Sequence, residues 1–206
     1  MSARVRRALL AMVLAGLVAQ AAATPATVAA AAASQSVSAS GAGDGAMPGW
    51  IVRTDAPAGW TADCCTYARA IGVNFVLYQG EWSGEPNRVM VLNVWPRKLP
   101  SLDDELKADR THYLARDVAA KVGSFPIRHR GMPCAANVFE GTDHIDDVVV
   151  FCDPGSASGI RLSWSMSFAD HDASRGPLLD AFMRVVVATR YERAAAAPAT
   201  PPATRK

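Results

Sequence analysis

The sequence lacks the short motifs that mark nucleotide-binding and metal-dependent enzymes. It contains no P-loop, no GxGxxG run and no HExxH pair. In residues 155–159, Ala157 stands where a GxSxG motif needs its nucleophilic serine. Because a fold can assemble a catalytic triad from distant residues, these absences argue against an enzyme without excluding one. The sequence therefore predicts no catalytic residue, no cofactor-binding residue and no cofactor.

A large excess of positive charge is also lacking. The chain carries 21 Lys+Arg and 19 Asp+Glu, a net charge of +2. Three of the basic residues precede an apolar run at residues 8–18, which is too short to span a membrane, and small residues follow it. We predict a cleavable signal peptide over residues 1–23 and a periplasmic or secreted protein. Its removal leaves 18 basic residues against 19 acidic ones, so no nucleic-acid partner and no transmembrane segment in the mature chain are expected.

Aromatic residues are absent from residues 24–48, in which Asp44 is the only acidic side chain. Such an Ala/Ser-rich segment cannot bury enough apolar surface to offset the entropy lost on ordering, so it predicts a disordered linker. Residues 193–206 are rich in alanine and proline and predict a disordered tail. A single domain is then expected at residues 49–192, a length that suits one hydrophobic core.

Cysteine is scarce, and none of the four lies near the predicted cleavage site, which argues against a lipid attached to an N-terminal thiol. In an exported chain we expect them to form disulfides. A predicted hairpin with its turn at residue 143 places Cys134 opposite Cys152. If these two form a disulfide, Cys64 and Cys65 are the remaining cysteines. The alternative pairing joins Cys64 and Cys65 each to one hairpin cysteine. No CxxC spacing supports a redox or soft-metal role for the thiols.

The elements predicted from the apolar periodicity define an α+β fold. The clearest pattern lies at residues 160–168, where large apolar residues alternate with Arg161 and three serines. We predict strands over residues 50–54, 73–78, 88–95, 125–130, 134–141, 145–152 and 160–168, and helices capped by Thr61, Ser101 and Ser174. The first helix is expected to end at Gly72 and the second near Val122. The result is an antiparallel β-sheet of about six or seven strands packed by two longer helices and one short helix.

Five features follow the first predicted strand in order. They are a Pro-x-Gly-Trp run (Pro57, Gly59, Trp60), a hairpin, a helix that begins at Ser101, a meander of strands and a closing helix. Over about residues 50–191, this order resembles the PsbP-like and DcrB-like α/β/α sandwich superfamily, within a group of exported bacterial proteins. The resemblance is one of fold, and it transfers no functional residue. Known relatives of that fold are mostly non-enzymatic: photosystem accessory subunits, a nucleotide-release partner of a small GTPase, envelope lipoproteins and secretion-system adaptors.

Two acidic, histidine-containing turns are the candidate metal sites. The first comprises Asp143, His144, Asp146 and Asp147, and the second lies at residues 170–172. Their oxygen and nitrogen donors suit a divalent cation, although solvated turn residues explain the same composition. Among the five tryptophans, those at element edges are candidates to line a ligand groove, namely Trp50, Trp60 and Trp82, whereas Trp95 and Trp164 are expected in the core.

Three functions remain open at this point. The favoured hypothesis is an exported, non-catalytic binding or accessory protein, adaptor-like or immunity-like, with a protein partner in the cell envelope. The second is an exported hydrolase or thiol enzyme whose site is assembled only in the fold. The third is a binding protein that depends on a divalent metal. The sequence does not indicate the oligomeric state.

Overall fold

The computed structural model describes residues 33–43, 47–83 and 88–194. In chain order, the elements are β1 (Gln35–Gly41), β2 (Trp50–Ala56), β3 (Trp60–Asp63), α1 (Tyr67–Ala70), β4 (Phe75–Gln79), β5 (Val89–Pro96), α2 (Leu102–Leu114), β6 (Lys121–Ile127), β7 (Cys134–Glu140), β8 (Ile145–Cys152), β9 (Ile160–Ala169), α3 (Arg175–Ala188) and β10 (Arg190–Arg193). The predicted signal peptide lies outside the described residues, as does most of the predicted tail.

The strands form two antiparallel sheets. The larger has the order β3-β4-β5-β9-β8-β7-β6, and the smaller has the order β1-β2-β10. The predicted α+β class is confirmed: the main sheet has seven strands, α2 and α3 have 13 and 14 residues, and α1 has four. The separate three-stranded sheet was not expected from the sequence.

The two faces of the main sheet differ in polarity, as the side chains of the central strand β9 show. Its large apolar residues point to the core, where α3 and the smaller sheet cover them; these are Ile160, Leu162, Trp164, Met166 and Phe168. The intervening residues, Arg161 and three serines, face the other side, where α2 packs on β7 and β8. The alternation predicted for β9 is therefore confirmed, and it separates an apolar layer from a polar one.

The hairpin of β7 and β8 has the predicted register. Cys134 pairs with Cys152, Ala136 with Val150, and Val138 with Val148. A shift of one residue would turn these small apolar side chains away from the core, which explains why the pattern determines the register.

The predicted first helix is wrong over most of its length. Residues 60–63 instead form β3 on the edge of the main sheet, where Trp60 pairs with Gln79. The short α1 has Thr66, not the predicted Thr61, at its N-cap position, and the Asp63 carboxylate accepts the Ala68 amide of the first turn at 2.9 Å. Gly72 follows α1 with φ +75°, as the predicted left-handed end requires.

The second helix also ends earlier than predicted. Ser101 caps α2 by accepting the Asp104 amide at 3.1 Å, as expected. However, α2 stops at Leu114, and β6 pairs Lys121 with Glu140 across the sheet. Pairing with β7 satisfies the backbone hydrogen-bonding groups of β6, and this outweighs the helical propensity of its residues. Before α3, the Ser174 hydroxyl bonds to Asp172 and not to a helix amide.

The predicted linker is wrong at residues 35–41, because they form β1. Its small residues alternate, with Val37 and Ala39 on the inner side and serines outside. Gly41 pairs with Trp50, and a Cβ atom there would lie 2.5 Å from the Trp50 indole nitrogen. Glycine is therefore needed for this close approach.

Both edge strands of the main sheet are interrupted or short. β3 has four residues, and β6 contains Pro126, which has no amide hydrogen to donate.

Among the described residues, no helix is long and apolar enough to cross a membrane.

Candidate functional site

A polar layer lies between α2 and the main sheet. Three residues of α2 at four-residue spacing face this layer: Glu105, Asp109 and Tyr113. Asn137 and Arg161, both fully buried, meet them from the strands. Buried polar groups of this kind need partners, because an unpaired one costs about 1–3 kcal/mol.

An ion-pair network surrounds the buried Arg161 guanidinium. Its Nε lies 3.3 Å from Glu105 Oε1, and Asp153 pairs with it from the other side. Asp153 also pairs with Arg97 at 3.2 Å, and Arg161 donates to the Leu99 carbonyl. Burial raises the pKa of Glu105 above its usual value, although Arg161 opposes this. The network satisfies its own charges and holds α2 on the sheet.

Asp109 and Tyr113 extend the layer along α2. The Asn137 side chain donates to Asp109 Oδ2 at 2.8 Å and to the Leu106 carbonyl at 2.9 Å. Burial raises the pKa of Asp109. The Tyr113 ring stacks on Phe139 with centroids 4.0 Å apart.

The Tyr113 hydroxyl lies close to a charged strand residue. Burial and the nearby Asp147 carboxylate raise the pKa of Tyr113 to about 12. Asp147 itself accepts a hydrogen bond from Ser167. The carboxylates of Asp109 and Asp147 are therefore bonded to other groups of the fold, and they do not face an open cleft together.

The first candidate metal site does not converge on a single point. Asp146 faces the core side of β8 and pairs with Arg175 at the start of α3. Asp147 faces the α2 side, and Asp143 accepts the Ile145 amide at 3.0 Å. Within the described parts of the chain, no group of three or more His, Cys, Asp or Glu side chains has a geometry that suits a metal ion.

The structure does bring the two acidic turns together through one carboxylate. Asp170 bonds to His144 Nδ1 at 2.8 Å and to His171 Nδ1 at 3.1 Å. The hydrogen bond to Asp170 raises the pKa of His144, and the same contacts lower the pKa of Asp170. All three side chains are at the surface, so this cluster is a solvated link between two turns.

The four cysteines lie in two pairs. Cys134 and Cys152 face each other across the hairpin with Cα atoms 4.2 Å apart, and the adjacent Cys64 and Cys65 form the other pair. No cysteine is free in the structure. The Asp63 carboxylate accepts the amides that follow; burial raises the pKa of Asp63, but these backbone hydrogen bonds outweigh burial and lower it.

Of the three candidate edge tryptophans, Trp50 and Trp60 are buried in the core. Trp82 stacks on Tyr67 with centroids 4.7 Å apart, and it borders a shallow groove of about 240 Å³ beside Ile71. Trp164 is fully buried, as predicted, and donates to Thr189 Oγ1 at 2.9 Å. Trp95, also expected in the core, is half-buried with its ring edge-on to Phe151.

A larger cavity lies near the Cys134–Cys152 pair, between the β6–β7 loop and the junction of α3 with β10. Its volume is about 510 Å³, within the range of small-molecule pockets. The loop contributes residues 129–132, and the junction contributes Val187 and residues 189–191; Pro154 completes the wall. We name this space the loop–junction cavity. A second cavity of about 440 Å³ lies on another side of Val187.

His129 fastens the loop to the junction. Its Nδ1 accepts the amides of Gly131 and Met132 at 3.0 and 3.1 Å, so the ring hydrogen lies on Nε2. This hydrogen is donated to the Thr189 carbonyl at 2.9 Å. Both ring nitrogens are thereby used in holding the backbone.

Two arginines on the cavity wall have no acidic partner among the described residues. Arg130 follows His129, and Arg190 follows Thr189, so the hydrogen bond between these two residues brings the arginines to the same cavity. In the sequence, residues 128–130 stand out only as a short basic cluster, predicted on a strand. They belong instead to the loop after β6, and nothing local indicates that Arg190 lies nearby.

No protein-family model matches the sequence, and no curated protein matches it at a significant level. Among solved structures, the chain is similar to the solution structure of cyanobacterial PsbP (CyanoP) from Synechocystis sp. PCC 6803. The match has a TM-score of 0.51 and 14% identity, and it covers 77% of this chain and 92% of that one. At this level of identity, the similarity concerns the fold, and the fold is PsbP-like.

Proposed function

We propose that this chain is an exported, non-catalytic binding protein that acts as an accessory to a protein partner in the bacterial cell envelope. The observation that carries the proposal is the loop–junction cavity, which joins an apolar wall to two arginines that pair with no acidic side chain in the described part of the chain. By contrast, Glu105, Arg161 and Asp109 are bonded to neighbouring groups beneath α2.

The groups around the cavity suit binding better than catalysis. A general base needs a free lone pair within reach of its substrate. His129 is the histidine on the cavity wall, and both of its nitrogens are bonded to backbone groups. The remaining polar side chains there are arginines, a threonine and a tyrosine. Such a set can hold a ligand, whereas it offers no ready proton acceptor.

The apolar part of the wall suits a protein partner. Val187 is 45% exposed at the end of α3 and borders the cavities of about 510 and 440 Å³. Exposed apolar residues beside concave, partly charged surfaces are typical of protein-binding sites. The predicted signal peptide and the fold-level resemblance to mostly non-enzymatic accessory proteins also favour this role.

A comparative pull-down tests the proposal. The chain and two variants, Val187→Asp and Val118→Asp, would be used to capture proteins from cell-envelope extract. Val118 is 86% exposed in the segment after α2 and serves as the matched control. We expect a reproducible partner that the wild type and Val118→Asp retain and Val187→Asp loses. The proposal is wrong if no captured protein distinguishes Val187→Asp from the control.

A further inference from the structure

We propose that the loop–junction cavity binds an acidic peptide segment of the partner, with carboxylates at Arg130 and Arg190 and an apolar side chain against Val187. This inference rests on the proposed function and specifies the chemistry of its partner. Arg130 and Arg190 pair with no carboxylate of the described residues, so their guanidinium groups are available to an incoming carboxylate.

The acidic residues nearest in sequence to the cavity wall are already paired elsewhere. Asp153 precedes the wall residue Pro154, and it pairs with Arg97 and Arg161. Glu192 lies two residues after Arg190, and its Oε1 is 3.1 Å from Arg53 Nε. Each of these carboxylates thus has an arginine partner outside the cavity wall.

The backbone beneath the two arginines is held in place. His129 joins the loop to Thr189 across 60 residues of sequence, and its Nδ1 accepts the amides of Gly131 and Met132 in the loop. The arginines are thus carried on connected backbone segments before any ligand arrives. A preorganised pair loses less entropy on binding than one carried on a free loop.

The rest of the wall favours a peptide over a simple anion or a nucleic acid. Met132, Pro154 and Val187 contribute an apolar surface that an inorganic anion would leave unused. Without residues 1–23, the chain has no net positive charge to attract a polyanion. An acidic segment with an apolar residue matches both parts of the wall.

The chain's own C-terminal segment does not match this chemistry. Residues 195–206 contain no acidic side chain, and they include Arg205 and Lys206. An acidic segment of the partner protein is the better match for the two arginines.

Binding of a synthetic peptide to the full chain tests this inference. The probe is the acetylated and amidated hexapeptide Glu-Glu-Leu-Phe-Glu-Glu, and the matched probe replaces each Glu with Gln. We expect the acidic probe to bind at least about tenfold more tightly, and the preference to shrink when ionic strength rises from about 0.01 M to about 0.15 M. Equal affinity for the two probes would overturn the inference, as would equally tight binding of a short oligothymidylate.

Variants locate the binding. The double variant Arg130→Glu/Arg190→Glu is expected to bind the acidic probe at least about tenfold more weakly than the wild type. The double variant Arg69→Glu/Arg110→Glu makes the same charge change at exposed positions on α1 and α2. It is expected to keep the wild-type affinity for the acidic probe. Loss of binding in both double variants would overturn the inference, because net charge alone would explain it.

The same double variants separate this inference from the proposed function. If Arg130→Glu/Arg190→Glu still captures the envelope partner that Val187→Asp loses, the chain is a binding protein whose partner is not acidic. If Val187→Asp also keeps every captured protein, the proposed function itself fails.

Discussion

The imidazole of His129 lies 2.9 Å from the carbonyl oxygen of Thr189, and this hydrogen bond closes one end of the sandwich. It joins the loop of the main sheet to the start of β10 in the smaller sheet. The bond thus ties a loop residue that follows one sheet to the residue that precedes a strand of the other.

Replacement of His129 by alanine should lower both stability and binding. The change removes three hydrogen bonds, each of which contributes about 1 kcal/mol, so we expect the free energy of unfolding to fall by about 2–3 kcal/mol. Denaturant unfolding measures this, and the acidic hexapeptide should bind more weakly. His112→Ala, on the exposed surface of α2, should change stability by less than about 0.5 kcal/mol. An unaltered unfolding midpoint in His129→Ala would contradict the role assigned to this residue.

Removal of the Glu105 carboxylate should be costly. Glu105→Ala leaves the fully buried Arg161 with Asp153 as its remaining acidic partner, so we expect a loss of about 3 kcal/mol. The matched control is Glu140→Ala, which breaks the exposed pair with Lys121 and should cost less than about 1 kcal/mol. Urea unfolding of both variants provides the comparison, and similar losses would show that the network is not selectively stabilising.

Tyr113 should titrate far above the usual range. Burial and Asp147 raise its pKa from 10.0 to about 12. The fold favours the neutral form, so the stability that this shift contributes is complete below pH 10 and is lost as the pH rises through about 12. Near-ultraviolet absorbance should show an ionisation step near pH 12, which Tyr113→Phe removes and Tyr78→Phe retains. Persistence of the step in Tyr113→Phe would contradict the assignment.

The two cysteine pairs should differ in what they contribute. The Cys134–Cys152 pair has a sequence separation of 18, so Cys134→Ser/Cys152→Ser should lower the free energy of unfolding by about 3 kcal/mol. Cys64 and Cys65 are adjacent and restrict the unfolded chain little, so their double serine variant should lose less than about 1 kcal/mol. Peptide mapping without reduction tests the pairing. A peptide that links Cys64 to Cys134 or Cys152 would contradict it.

The sequence predicts the parts of the fold in which local patterns and tertiary contacts agree. The alternation of β9 and the small apolar residues around Cys134 and Cys152 each fix a strand and its inward face. The prediction fails where a local helix signal competes with pairing to a neighbouring strand. Residues 60–63 carry a capping threonine, but β4 recruits them as a strand, and β7 does the same for Lys121–Ile127.

The candidate site was less predictable than the fold. Residues 128–130 were visible as a basic cluster, yet their significance depends on Arg190, which folding brings close through the His129–Thr189 hydrogen bond. The acidic turns showed the opposite problem, because neighbours such as Asp146 and Asp147 point to opposite faces of β8. Adjacency in sequence therefore suggested a cluster that the strand geometry separates.

The edges of the main sheet bear on how the protein behaves when crowded. An open strand edge with a continuous row of amides can pair with another molecule and begin aggregation. Pro126 interrupts that row on β6, and β3 offers only four residues at the opposite edge. The seven-stranded sheet is thus poorly suited to extend into neighbouring copies, so molecules meeting at high concentration should remain separate along this direction.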